Sequence, residues 1–105
     1  MPGFDLNALF EQAQQLQEQM REAQERLGQK IVTGSAGGGM VVVTANGKGE
    51  IQKVQIDKQA VDPRDVAMLE DLVLAAVNEG IRNAQKMVAE EMTKATGGLK
   101  IPGLG

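Results

Sequence analysis

Few residues in this sequence could do chemistry, and their spacing works against it. The chain has no His and no Cys. That removes the usual general base, the commonest metal ligand, thiolate nucleophiles, disulfides and Cys-based zinc sites. An enzyme would be left with carboxylates, Lys, Ser or Thr. Two acidic doublets, Glu70-Asp71 and Glu90-Glu91, are where a hard, oxygen-seeking cation could be sought. Neighbouring helical positions point in different directions, so neither doublet converges on one ion, and both read as solvated helix face. The run Gly34 to Gly39 has the form G-x-x-G-G-G, which lacks the G-x-G-x-x-G and GK[ST] patterns of phosphate cradles. It also leads into a strand, whereas a phosphate cradle requires a helix N-terminus. It reads as a flexible inter-strand turn. Neither catalysis nor a cofactor nor a metal is expected, and binding is the class of function left.

Charge gives that binding a direction. A net charge of −3 argues against a general polyanion binder, because phosphate neutralisation normally supplies much of the affinity. The distribution is uneven, however. Residues 62–71 hold Asp62, Asp65, Glu70 and Asp71 against Arg64 alone. From Glu79 to Lys100, three acids face Arg82, Lys86, Lys94 and Lys100, and residues 21–30 set Arg21, Arg26 and Lys30 against two Glu. A dimer would double these surpluses at a fixed spacing. With no Trp or Tyr to stack on bases, single strands are poor ligands and duplex DNA is the better candidate. Ordinary helix surface charge is the competing reading.

The elements that must position these residues are legible in the apolar spacing. From Leu6 to Leu27, Leu9, Ala13, Leu16, Met20, Ala23 and Leu27 form an a/d heptad seam. Asp5 or Asn7 can cap the start, and Gly28 is placed to end the helix. The surrounding Gln-rich surface suits one partner helix better than a broad core. Ile31 to Thr33 reads as a short strand, and Met40 to Ala45, with three consecutive Val, as a strand covered on both faces. Asn46-Gly47 is a type I′ hairpin pair that Lys48-Gly49 can lengthen. Ile51 to Asp57 returns as the third strand, with a bulge near Gln52-Lys53 because Ile51 has the opposite parity to Val54 and Ile56. Asp62 as cap and Pro63 at the first position open a second helix, running to about Lys94.

The expectation is an α+β fold: helix, three-stranded antiparallel sheet, helix. At 105 residues it is one domain, spanning 1–96, with a mobile Gly/Pro-rich tail over 97–105. The start of the first helix should lie near the end of the second, at a tip remote from the sheet. Large side chains are scarce, Phe4 and Phe10 being the only aromatics, so burial against a second copy is expected. The N-terminus has no basic region followed by an apolar run, and no stretch of about 18 apolar residues occurs, so a cytosolic, non-membrane protein is expected.

The sequence resembles the YbaB/EbfC family of bacterial nucleoid-associated proteins over nearly its whole length. The matching stretches, in order, are Gln12-Ala-Gln-Gln-Leu-Gln-Glu-Gln-Met20, Val32-Thr-Gly-Ser-Ala-Gly-Gly-Gly39, Val43-Thr-Ala-Asn-Gly-Lys-Gly49, Met68-Leu-Glu-Asp-Leu-Val-Leu-Ala-Ala-Val-Asn78 and Thr96-Gly-Gly-Leu-Lys-Ile-Pro-Gly-Leu104. The resemblance implies a homodimer joined through its sheets, with helix pairs projecting like the arms of tweezers. It also implies binding of double-stranded DNA with little sequence preference, in the nucleoid of the cytoplasm, and roles in nucleoid organisation and expression control. A link to DNA repair is implied too, and no catalytic activity. Family members often carry Lys or Met in the first turns of the first helix, where this chain has Glu11 and a run of Gln.

Charge and expected exposure select the DNA contacts. Arg82, Lys86 and Lys94 on the outer half of the second helix form one set, and Arg21, Arg26 and Lys30 the other. Gln12, Gln15 and Gln19 are placed to add hydrogen bonds to phosphate or base edges, with solvated helix surface as the competing reading. The alternative function is a protein-interaction module whose arms grip a helix of a replication or recombination-repair protein, which the acidic balance and heptad seam support.

Overall fold

The structure, a computed structural model, describes residues 5–95. Phe4 and the expected tail over 97–105 lie outside the described residues. Asp5 is the cap that starts α1 (Leu6–Gln29), its carboxylate accepting the Asn7 amide at 3.0 Å. Gly28 does not end the helix. α1 runs one residue further and stops at Lys30, whose extended backbone still donates to the Leu27 carbonyl at 3.2 Å.

Three antiparallel strands come next, β1 (Ile31–Ala36), β2 (Val41–Asn46) and β3 (Ile51–Ile56), in that spatial order. β1 takes in Gly34, so the turn between β1 and β2 is left to Gly37, Gly38 and Gly39. All three have positive φ, the conformation only glycine adopts freely. The second turn is not type I′. Its positive φ falls on Gly49, as in a three-residue hairpin loop ending in a left-handed residue. The nearly buried Asn46 organises it, its side-chain oxygen accepting from the Lys48 and Glu50 amides, both at 3.0 Å. The expected bulge is present. Thr44 pairs with Lys53 and Ala45 with Ile51, so Gln52 is the extra residue, which returns Ile51 to the face of Val54 and Ile56.

The second helix, α2 (Val66–Ala95), starts three residues later than Pro63. Asp62-Pro63-Arg64-Asp65 first closes as a turn, with the Asp65 amide 2.9 Å from the Asp62 carbonyl. Asp65, not Asp62, is the helix cap, accepting the Met68 amide at 3.1 Å. α2 lies across β1 and β2 over a small core of Val41, Val43 and Ala76. Strand and helix meet there backbone to backbone: a Cβ on Gly34 would lie 2.2 Å from the Gly80 nitrogen and 2.5 Å from the Ala76 carbonyl oxygen. The opposite sheet face is not covered by any of the described residues. Thr33, Ser35, Lys53 and Gln55 on it are exposed, and Val42 and Thr44 only half-buried.

α1 also departs from expectation. None of its residues is buried, and Leu16 and Met20 of the seam are 59% and 56% exposed. Among the described residues only its inner end meets α2, where Ala23 and Leu27 line a crevice with Met92. The end of α2 therefore lies beside the last turns of α1, and no other described element accompanies the start of α1. α2 spends its first turns crossing the sheet, so too few remain to accompany α1. Helices of about 36 and 45 Å overlapping only here account for the 78 Å length of the molecule. Its radius of gyration is 21.0 Å, against about 13 Å for a compact domain of this size.

Two stability measurements check this packing. Gly34→Ala is expected to cost about 3 kcal/mol in urea unfolding, since the added methyl meets backbone on α2 that has no free rotamer. Asp65→Ala should cost about 1 kcal/mol through loss of the cap.

Candidate nucleic-acid interface

α1 projects from the sheet because its last carbonyls are gripped there. The Gly47 amide donates to the carbonyls of Leu27 at 3.1 Å and Lys30 at 3.2 Å, satisfying acceptors that a helix end otherwise leaves unpaired. Gly47 has to be glycine, because a Cβ there would lie 2.0 Å from the Leu27 oxygen. The aliphatic chain of the next residue, Lys48, lies against Gly28, where a Cβ would sit 2.7 Å from Lys48 Cε. A cation beside the C-terminus of α1 is favoured by the helix dipole. Charge counting along the chain passes over Lys48 because it stands alone in a hairpin; the proximity of that hairpin to α1 is what recruits it.

The second tie at this root is ionic. The Glu91 carboxylate of α2 meets Lys30 Nζ at 2.8 Å and Lys94 Nζ at 3.7 Å, both through Oε1. The hydrogen bond from Lys30 holds the Glu91 carboxyl below the usual carboxylate range, against a partial desolvation that pushes it up. The pair is therefore charged at neutral pH and is lost as pH falls through that lowered value. Arg26 lines the same crevice as Lys30, Glu91 and Met92.

The remaining expected contacts divide by helix face. At about 100° per residue, Gln12, Gln15, Gln19 and Arg26 share one strip of α1 beside the apolar seam, and the strip leads to Lys30. All four are exposed. Arg21 faces roughly the opposite way and is not part of the strip. Its guanidinium is held by Glu18 and, at 2.5 Å, by Glu25, and these partners push its already high pKa further up. Its charge is compensated within α1. On α2, Arg82 and Lys86 point away from the sheet without ion-pair partners among the described residues, and Lys86 and Lys94 flank a shallow depression over Ala89, Glu90 and Thr93. The structure thus gathers Arg26, Lys30, Lys48 and Lys94 around the root of the arm, places Arg82 and Lys86 on a separate outward face of α2 and leaves Arg21 outside the root.

Five acids collect at the other end of the sheet. Asp57, Asp62, Asp65, Glu70 and Asp71 cluster near the turn between β1 and β2 and the start of α2. Arg64, one of few cations there, is turned onto Asp62 at 3.2 Å. Among the described residues no three of His, Cys, Asp and Glu come together to hold a metal, and no helix is long and apolar enough to cross a membrane.

Known proteins resemble the chain in sequence and in fold. The chain is 55% identical to a nucleoid-associated protein of Thermoanaerobacter pseudethanolicus and 54% identical to one of Caldanaerobacter subterraneus, each over 102 residues, 97% of this chain and 92% of the relative. An uncharacterized protein from Helicobacter pylori, known from a crystal structure, shares the fold with a TM-score of 0.71 at 22% identity, over 89% of this chain and 98% of that one. The family model for YbaB/EbfC DNA-binding proteins matches residues 1–99, and the chain belongs to that family.

Proposed function

We propose that the chain acts as a nucleoid-associated homodimer that binds duplex DNA through the phosphate backbone, with little sequence preference, at the roots of its helical arms. As a member of a DNA-binding family of architectural proteins it is not an enzyme. The observation that carries the reading is the distribution of charge along the molecule: cations from both helices and the β2–β3 hairpin lie at the arm root, with Glu91 between two of them, and five acids from Asp57 to Asp71 lie at the far end of the sheet. A molecule with a net charge of −3 approaches a polyanion with the basic end leading. Nucleoid organisation, expression control and a cytoplasmic, nucleoid location follow from such binding, and a contribution to DNA repair is compatible with it.

Two features support the homodimer. The outer edge of β1 is closed by α2: the Ser35 amide donates to Glu79 at 3.1 Å, and Asn83 donates to the Thr33 carbonyl at 2.8 Å. The outer edge of β3 has no such cover among the described residues, and its Val54 and Ile56 are 45% and 42% exposed. A bare edge beside exposed apolar side chains is a surface that natural proteins cover. A second copy is the simplest cover, which leaves the arms free. The alternative, arms that grip a helix of a replication or repair protein, is favoured by one observation, the exposed seam of Leu9, Leu16 and Met20 on α1. Recovery of the same protein partner from lysate with and without nuclease treatment would support it.

Under the DNA reading, gel-shift affinity should fall linearly with salt on logarithmic axes, by about 0.9 in slope for each phosphate neutralised, and should survive changes of DNA sequence. Lys86→Glu combined with Lys94→Glu is expected to abolish the shift while light scattering still reports the dimer mass. Unchanged binding would remove the outer half of α2 from the site.

A further inference from the structure

Glu91 occupies an unusual place in this interface. It faces two of the cations assigned to DNA, and one of its oxygens, Oε1, serves both Lys30 and Lys94. Its neighbour Glu90 is exposed and makes no ion pair among the described residues. Lys30 closes α1 and leads into β1, so its ion pair with Glu91 also joins the arm to α2. Beyond that pair, the ties at this root among the described residues include the two bonds from Gly47, the aliphatic chain of Lys48 against Gly28 and the half-buried Ala23 and Leu27 beside Met92. We propose that Glu91 is an internal stand-in for a DNA phosphate: in the free protein it holds Lys30 and Lys94 together and braces the arm, and it gives both lysines up when a phosphate replaces it. The proposal rests on the duplex-DNA reading above.

The chemistry is that of a single anionic oxygen shared by two ammonium groups. A backbone phosphate offers the same oxygen with more charge around it and more acceptor atoms. Each lysine engaged by Glu91 must leave that partner before it neutralises a phosphate, so the carboxylate opposes binding and flattens the salt dependence. Such a competition limits residence on DNA while keeping the lysines oriented between encounters.

The test compares Glu91→Gln with Glu70→Gln, which remove the same charge at the arm root and at the acidic end of the sheet. Glu91→Gln should bind a 30-base-pair duplex about tenfold more tightly than wild type at low salt, with a salt slope no shallower than that of wild type. Glu70→Gln should stay within about twofold of wild type, as expected of an exposed charge more than a Debye length from the site. In the DNA-free protein, hydrogen exchange at the Lys30 and Gly47 amides should be faster in Glu91→Gln than in Glu70→Gln. Equal tightening in both variants would overturn the proposal, since net charge alone would explain it, and so would weaker binding by Glu91→Gln. Exchange unchanged from wild type would overturn the bracing. A wild-type protein that gave no gel shift would instead refute the duplex-DNA reading, with the exchange measurement still deciding whether Glu91 braces the arm.

Discussion

Where Gly80 crosses Gly34, α2 approaches the sheet backbone against backbone, and the rest of the molecule is arranged around that contact. With a side chain at either position the helix would be lifted from the strands, and the Val41, Val43 and Ala76 core would open. Because the helix sits so low over β1, Glu79 and Asn83 reach the outer backbone groups of that strand and close its edge. The same placement leaves β3 outside the cover of α2, which is why its apolar face stays exposed. It also carries the last turns of α2 past the end of the sheet, to the point where Glu91 can meet Lys30. One steric condition thereby sets a closed edge, an open edge and the composition of the arm root.

The arm is held by few interactions. Gly47 satisfies the end of α1, Lys48 lies along its last turn, and Glu91 ties Lys30 to α2. Exposed ion pairs are individually weak and screened by salt. An arm tied in this way can answer to a polyanion, because the groups that position it are the groups that a phosphate attracts. The small core has a related consequence. Among the fully buried side chains of the described residues, Val41 and Val43 are the largest, so the core within the chain is small.

Much of this is legible in the sequence. The heptad spacing marks α1, the Val run marks β2, and the parity of Ile51 against Val54 and Ile56 locates the bulge that falls at Gln52. What escapes is what only the third dimension decides. Two aspartates flank Pro63, and local rules favour Asp62 as the cap; closure of the intervening turn hands the role to Asp65. Gly34 reads as loop, yet it is a strand residue that must be small because α2 lies against it. Asn46-Gly47 reads as a hairpin pair, but Gly47 is needed for the carbonyl of Leu27, about twenty residues away in sequence. At the candidate site, charge alone selects Arg21, Arg26, Lys30, Arg82, Lys86 and Lys94 alike. It cannot show that Arg21 is neutralised by Glu18 and Glu25, nor that Lys48 joins the root.

Duplex DNA should meet this protein where the two helices and the hairpin converge, and NMR can locate the contact residue by residue. Backbone amide shifts of the labelled protein, followed as a short duplex is added, are expected to concentrate at residues 26–30, 47–49 and 86–94. The acidic end at 57–71 should be spared. Shifts concentrated on that acidic end, or on the outer seam of α1 around Leu9 and Leu16 alone, would contradict DNA binding at the arm root.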